Sequence, residues 1–223
     1  MNRRQLLISL VVLAVIAIGV VGYFVFYGSS TDETVPDGTV AYTVPLKPTD
    51  RTMGNPKAPV TVVEYGAPTC PHCAHFDITM FPTLKKDYID TGKVFYVFRA
   101  FPLSQVDIAA EALARCLPAD KYFAFIDLLY HNQPKWDPDG YQIPDVRAAL
   151  IALAQSAGMP ADQAGACLDN SAAQKQAEDV GVEAQTKYGI NSVPTFLVDG
   201  QLAPPFESPD DVKTYFNKVL AKK

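Results

Sequence analysis

The order of the predicted secondary structure elements indicates an α/β fold, in which a mixed β-sheet is covered by helices and carries one α-helical insertion. Residues 60–65 and 94–98 are short runs of β-branched and aromatic residues, typical of buried strands, and a helical pattern lies between them. A β-α-β unit needs a crossover connection, which implies parallel strands. An alanine-rich helical region follows, and a strand pair with a closing helix ends the chain.

The first unit has clear boundaries. Pro59 and Gly66 enclose the first strand. Pro71 fits the first turn of the helix that follows, where a backbone N–H is not needed. Pro82 lies inside the same helical pattern and predicts a kink. Gly92 marks the end of this helix, shortly before the second strand.

The later elements follow from periodicity and from the breaks between them. We expect insertion helices over 106–116, 121–130, 144–157, 161–168 and 172–187. Strands over 195–198 and 201–203 flank Asp199-Gly200, a favoured two-residue hairpin turn. Ser208 is positioned to cap the closing helix.

The composition excludes two broad classes of protein. The chain has 223 residues and is 48% hydrophobic and 19% charged, which argues against a disordered chain. Its formal net charge is −5, whereas binding to phosphate backbones needs a basic surface. We therefore expect no nucleic-acid partner.

The N-terminal segment predicts a membrane anchor. Arg3 and Arg4 precede an apolar run over 6–27, which as a helix spans about 33 Å, close to the hydrocarbon thickness of a bilayer. The cationic residues place the N-terminus in the cytoplasm and the rest of the chain outside. A cleaved signal peptide is the alternative, with small residues at 28–30 near the cut. Both interpretations export the protein.

The region after the apolar run is polar and rich in proline, which is typical of a tether. We expect an anchor or signal segment over 1–28, a tether over 29–55, the first part of the α/β domain over 56–104, the helical insertion over 105–188 and the second part of the α/β domain over 189–223.

Cys70 and Cys73 form a C-x-x-C motif where a strand leads into a helix. At a helix N-terminus, free N–H groups and the helix dipole favour a thiolate, which can lower a cysteine pKa from about 8.5 to about 3.5–7.5. A stabilised thiolate favours the reduced dithiol and makes the disulfide more oxidising. The motif therefore predicts a redox-active pair.

Two neighbouring residues are candidates for tuning this pair. His72 can donate a hydrogen bond or a positive charge to the Cys70 sulfur; its alternative role is that of a solvated first-turn residue. Glu64 lies in an otherwise apolar strand, where burial raises a carboxyl pKa and allows proton exchange with Cys73. If it faces outward, it is an ordinary surface charge.

Metal binding is an alternative interpretation of the motif, since half of a zinc site has the same spacing. The residues concerned are Cys70, His72, Cys73 and His75. A structural zinc site normally has a second, distant ligand pair. The chain supplies only His131 and two widely spaced cysteines beyond the motif, so we expect no metal.

Val193-Pro194 precedes the third strand. A proline there cannot donate a ladder hydrogen bond and indicates a tight turn, sometimes with a cis peptide. A cis bond exposes the backbone of Val193 for pairing with an extended substrate. The alternative is a trans proline that only starts the strand.

Cys116 and Cys167 lie on predicted helices of the insertion. In an exported protein we expect them to form a structural disulfide, which closes a loop of about 50 residues and stabilises the fold by about 4 kcal/mol. The alternative is two buried free thiols that pack as small hydrophobic side chains.

The chain resembles the DsbA family of thiol–disulfide oxidoreductases from about residue 55 to the C-terminus. The motifs that carry the resemblance are Glu64-Tyr65, Cys70-Pro71-His72-Cys73 and Val193-Pro194-Thr195. The resemblance implies a thioredoxin fold with an inserted helical domain. Members of the family with a second cysteine pair and with a membrane tether are the more similar ones.

The resemblance also implies roles for the site residues. Cys70 is the exposed sulfur that substrates attack, and Cys73 is its buried partner. His72 tunes the thiolate, and Glu64 is the buried carboxylate. Val193-Pro194 forms a cis-proline loop that touches the substrate. No cofactor is implied.

The main functional hypothesis is an enzyme that donates the Cys70–Cys73 disulfide to exported, unfolded proteins with free thiols. Its site of action is the outer side of the inner membrane, or the periplasm if the first segment is cleaved. A membrane reoxidase of the DsbB or VKOR kind restores the disulfide, and the enzyme is a monomer. The alternatives are a disulfide isomerase or reductase, as in cytochrome maturation, and a non-enzymatic chaperone or metal carrier.

Overall fold

The computed structural model describes residues 42–223. The expected membrane anchor and the first part of the tether lie outside the described residues. Within 42–223, no helix is both long and apolar enough to cross a bilayer. The anchor stays a prediction from the sequence.

A five-stranded mixed sheet forms the centre of the fold, in the order β1-β3-β2-β4-β5. The strands are β1 Arg51–Met53, β2 Val60–Gly66, β3 Val94–Ala100, β4 Thr195–Val198 and β5 Gln201–Leu202. β2 and β3 are parallel and the other neighbouring pairs are antiparallel. The predicted crossover is therefore confirmed. Asp199 and Gly200 join β4 to β5 with φ angles of 49° and 79°, as the predicted hairpin turn requires.

β1 differs from the sequence prediction, which assigns residues 29–55 to a tether. Arg51–Met53 pairs antiparallel with β3. Just before β1, Asp50 forms an ion pair with Arg99 of β3, and the two side chains are only 4% and 3% exposed. The C-terminal end of the expected tether is therefore packed onto the α/β domain.

The helix after β2 is broken, as the internal proline predicts. It comprises α1 Pro71–Thr79, α2 Phe81–Leu84 and a π-helical turn, Lys85–Ile89. The break falls at Met80, two residues before Pro82. Proline lacks the N–H that would continue the hydrogen-bond ladder across this point.

The insertion is helical, and a further helix closes the chain. The helices are α3 Gln105–Cys116, α4 Tyr122–His131, α5 Gln133–Trp136, α6 Val146–Ser156, α7 Ala161–Leu168, α8 Ser171–Tyr188 and the closing α9 Pro209–Leu220. The five predicted insertion helices agree with the structure within two residues at each end. The four-residue α5 has no sequence signal because it is too short to show a period. A disulfide between Cys116 and Cys167 joins α3 to α7.

The pleat of β2 sorts its side chains between two cores. Val60 and Val62 face the larger core, which contains residues of α1, α9 and the insertion. Val63 and Tyr65 face a smaller core on the opposite side of the sheet. Glu64 has the same parity as Val62, so its carboxyl group points into the larger core.

Candidate active site

Cys70 and Cys73 lie at the junction between β2 and α1. Cys70 is the N-cap residue of α1, with extended backbone angles of φ −70° and ψ 118°, and Pro71 opens the helix. This fits the chemistry of a helix start, where the cap has non-helical geometry and the first helical residue needs no N–H. Both thiols are free, so the structure shows the reduced dithiol.

The Cys70 sulfur accepts hydrogen bonds from its own helix turn. The bond from the Cys73 thiol is the largest effect on the pKa of Cys70, which falls to about 7 although burial opposes the change. The backbone N–H groups of Cys73, at 3.2 Å, and of His72 contribute further. A thiol with this pKa is about half ionised at neutral pH. The predicted thiolate stabilisation is thus present.

The two sulfurs have opposite electrostatic preferences. Burial, with the hydrogen bond to Cys70, raises the pKa of Cys73, which therefore stays protonated. Cys73 is fully buried and Cys70 is only 4% exposed. The resemblance implied an exposed Cys70, and the structure corrects this: Cys70 is buried, with its sulfur against the Val193 carbonyl.

The sequence predicts that the His72 imidazole stabilises the Cys70 thiolate, but in the structure the backbone of His72 has this effect. The side chain is exposed on the first turn of α1. The part of His72 that lowers the pKa of Cys70 is its backbone N–H. The imidazole borders a cleft of about 390 Å³ beside the dithiol, together with Val193, Pro194 and Phe206.

Val193 and Pro194 face the dithiol from the opposite side. Their peptide bond is cis. The Val193 carbonyl oxygen lies 3.6 Å from the Cys70 sulfur and accepts a hydrogen bond from its thiol. The backbone at Val193 therefore lies in direct contact with the Cys70 sulfur.

Glu64 is buried, 2% exposed, with its carboxyl group in the core behind the dithiol. Burial raises the pKa of Glu64 to about 8, although the hydrogen bond from the Tyr96 hydroxyl, at 2.6 Å, opposes the rise. The Asp77 and Cys70 charges add to the rise. Glu64 is therefore mostly protonated at neutral pH and can donate a proton.

Three residues near Glu64 were not predicted from the sequence as part of the site: Tyr96, Asp77 and Tyr130. Burial raises the pKa of Asp77 to about 7, and the charge of Asp127 adds to this. Asp77 and Tyr96 line a cavity of about 520 Å³. Within residues 42–223, Asp77 Oδ2 and the Tyr130 hydroxyl are buried without a hydrogen-bond partner.

Some of these residues had a signal in the sequence. Asp77 follows Cys73 by one helical turn, so it lies on the same face of α1. Tyr96 pairs with Val62 in the parallel register, which places it on the face of Glu64. Tyr130 lies near Glu64 because α4 packs against α1, and this contact cannot be predicted from a local sequence pattern.

The residues of the alternative metal interpretation, Cys70, His72, Cys73 and His75, do not form a group within ligand distance of one another in residues 42–223. In the part of the chain that the structure describes, the group of ligand-type side chains close enough to share an ion is Asp77, Asp127 and His131. Asp127 and His131 are exposed, and exposed acidic groups commonly lie together without an ion. The Cys70 sulfur instead accepts a hydrogen bond from the Cys73 backbone N–H, and its thiol donates one to the Val193 carbonyl.

The raised pKa of Glu64 predicts a pH-dependent stability. Between about pH 4.5 and 8 the native protein holds a proton that the unfolded chain releases, so the free energy of unfolding falls as the pH rises. Glu64→Gln has no proton to release at this position. Its free energy of unfolding should therefore exceed that of wild type by about 3 kcal/mol at pH 7 and by less than about 1 kcal/mol at pH 5. Urea unfolding across this range measures it. An exposed control, Glu178→Gln, should follow wild type, and an equal gap for Glu64→Gln at both pH values would contradict the raised pKa.

The chain is similar in sequence to thioredoxin-like proteins and to proteins named for disulfide chemistry. The family model described as "Thioredoxin" matches residues 46–218. A Rickettsia felis protein named as a protein-disulfide oxidoreductase is 34% identical over 81% of this chain. A Bacillus cereus protein named "Probable disulfide bond formation protein D" is 31% identical over 78% of this chain and 80% of its own length. The chain spans 43–64% of the length of the five Rickettsia relatives that it matches.

The fold is also similar to those of solved DsbA-like structures. Alpha-DsbA1 from Wolbachia pipientis superposes with a TM-score of 0.73 at 26% identity, over 81% of this chain and 94% of the other. BdbD from Bacillus subtilis in its oxidised form has a TM-score of 0.70 at 26% identity, over 82% of this chain and 98% of the other. The helical insertion is thus part of a fold shared with these proteins.

Proposed function

The chain belongs to the thioredoxin family and, within it, to the DsbA-like thiol–disulfide oxidoreductases, and from this membership we propose that it donates the Cys70–Cys73 disulfide to exported proteins during oxidative folding. The observation that carries the proposal is the environment of the Cys70 sulfur. Donors at the start of α1 lower its pKa to about 7, while burial keeps Cys73 protonated. A dithiol stabilised in this way makes its disulfide a better electron acceptor than a disulfide between unperturbed thiols.

The reaction follows from these two pKa values. A substrate thiolate attacks the Cys70 sulfur, the Cys70–Cys73 bond breaks, and the electron pair goes to Cys73. The buried Cys73 sulfur then takes a proton, for which Glu64 is the nearby donor. A second substrate thiolate attacks the substrate sulfur of the mixed disulfide and releases Cys70 as a thiolate. The substrate dithiol is oxidised by two electrons, and the enzyme disulfide is reduced.

Substrate contacts are proposed for the loop opposite the dithiol. The Val193 backbone lies next to the Cys70 sulfur, and a cleft beside it has apolar walls formed in part by Phe76, Phe196 and Phe206. An extended, unfolded peptide can pair with a free backbone group and place apolar side chains in such a cleft. This favours unfolded proteins as substrates over small thiols.

The proposed location is the outer side of the inner membrane, with residues 6–27 as a single-pass anchor or, alternatively, as a cleaved signal. The apolar run and the Cys116–Cys167 disulfide support export, because such bonds persist in oxidising compartments. Each turnover leaves a dithiol, so an external electron acceptor is needed. We assign this role to a membrane reoxidase of the DsbB or VKOR kind.

A reductase or isomerase is the second candidate. The Cys70 pKa of about 7 is close to that typical of thioredoxin, whereas DsbA has a value near 3.5. A less stabilised thiolate gives a less oxidising disulfide.

Stoichiometric disulfide transfer distinguishes the two candidates. The oxidised protein is mixed with a reduced, unfolded protein that forms disulfides when native, in the absence of oxygen, and the loss of substrate thiols is followed. The proposal predicts that one enzyme disulfide removes close to two substrate thiols. If the enzyme stays oxidised, and instead its reduced form cleaves a substrate disulfide, the reductase is the correct assignment.

A further inference from the structure

The loop Pro68–Cys70 is held by the helical insertion. Asp107, on the first turn of α3, is fully buried. Its carboxylate accepts hydrogen bonds from the Thr69 backbone N–H at 2.8 Å and from the Thr69 hydroxyl at 2.9 Å. It also accepts bonds from the N–H groups of Leu103, at 2.9 Å, and Ser104, at 3.1 Å. One buried carboxylate thus joins the start of α3 to the residue before Cys70.

A second side chain holds the same loop from another helix. Gln133 opens α5 and is 7% exposed. Its Nε2 donates to the Pro68 carbonyl at 2.8 Å and to the Cys70 carbonyl at 3.2 Å. The insertion therefore fixes the carbonyls of Pro68 and Cys70 and the N–H and hydroxyl groups of Thr69.

We propose that Asp107 and Gln133 are positioning residues for Cys70: they fix the loop so that its sulfur lies against the first turn of α1 and faces the Val193 carbonyl. The inference deepens the proposed function and rests on it. It gives the helical insertion a role in the chemistry of a dithiol to which it contributes no sulfur.

The contribution of Asp107 is geometric. Its negative charge raises the pKa of Cys70 and so opposes the thiolate. Ser104 already caps α3 through its own side chain. The two bonds to Thr69 are therefore not needed for the helix, and what they hold is the loop. Hydrogen bonds to the Cys70 sulfur are directional, so a loop free to move weakens them.

Gln133→Leu tests the proposal, because leucine keeps the bulk of the side chain and removes both donated bonds. Asp107→Ala is less useful, since it leaves several buried donors without an acceptor and is expected to unfold readily. The matched control is Gln174→Leu, which removes an amide donor to the Leu168 carbonyl elsewhere in the insertion. Circular dichroism and thermal unfolding confirm that each variant is folded.

The readouts are the Cys70 thiolate absorbance at 240 nm against pH, and the rate at which the reduced protein attacks a small disulfide. We expect Gln133→Leu to shift the Cys70 titration to higher pH and to slow the attack about tenfold, since small displacements of reacting groups are costly. Gln174→Leu should match wild type in both. A Gln133→Leu protein that loses thermal stability but keeps the wild-type titration and rate would overturn the inference.

This result is independent of the direction in which the enzyme works. Both readouts use the reduced dithiol and a small disulfide, so they remain valid if the protein proves to be a reductase. Failure of stoichiometric disulfide transfer would instead remove the proposed function and leave the positioning role measurable.

Discussion

Cys70→Ser is expected to lower disulfide transfer to a reduced protein by at least about 1000-fold, because it removes the sulfur that the substrate attacks. Cys73→Ser should behave differently. Its Cys70 thiolate still attacks a disulfide, but the mixed disulfide has no second enzyme sulfur to resolve it. We therefore expect a covalent adduct on non-reducing gels for Cys73→Ser and no adduct for Cys70→Ser.

The roles of the two sulfurs follow from the contrast in their pKa values. The neighbouring donors lower the pKa of Cys70, whereas burial raises that of Cys73. If Cys73→Ser gave no adduct and Cys70→Ser did, the assignment of the attacked sulfur would be reversed. Absence of disulfide transfer by the wild-type protein, with binding of unfolded chains that is unchanged in Cys70→Ser, would support the chaperone alternative, which needs no redox chemistry.

Removal of the second disulfide is expected to have the largest effect on stability. Cys116 and Cys167 are 51 residues apart in sequence, and in the chain-entropy model such a bond stabilises the fold by about 4 kcal/mol. The double variant Cys116→Ala/Cys167→Ala should therefore unfold about 10 °C below wild type in thermal denaturation. Its disulfide transfer through Cys70 and Cys73 should remain close to wild type while it is folded.

The matched control replaces the other cysteine pair. Cys70→Ala/Cys73→Ala loses activity but keeps the long-range crosslink, so its melting temperature should stay near that of the reduced wild-type dithiol form with Cys116–Cys167 intact. Equal melting temperatures for the two double variants would show that the α3–α7 bond does not stabilise the insertion.

Most of the fold could be predicted because its signals are local. β2 and β3 are continuous apolar runs, and the insertion helices show their period and their breaks. β1 could not be predicted, since Arg51–Met53 is three residues long and partly polar. Its place in the sheet depends on contacts distant in sequence, above all the buried ion pair of Asp50 with Arg99.

In the site, too, residues with a local sequence signal could be predicted, and residues placed by tertiary packing could not. Cys70, Cys73 and Glu64 are conspicuous because a dithiol and a carboxylate interrupt an apolar strand–helix junction. Asp107 and Gln133 lie 37 and 63 residues after Cys70 in sequence and reach its loop only through tertiary packing. For His72 the sequence identified the residue, and the structure identified the backbone N–H as its active part.

The redox equilibrium of the Cys70–Cys73 pair with glutathione tests most directly the claim that this disulfide is an oxidant. The equilibrium gives the reduction potential, which measures the stability of the dithiol relative to the disulfide. The protein is incubated with defined ratios of reduced and oxidised glutathione, and the reduced fraction is determined by trapping free thiols. We expect a potential between about −180 and −120 mV, the range from protein disulfide isomerase to DsbA. A value near the −270 mV or so of thioredoxin would contradict an oxidising role and identify the pair as a reductant.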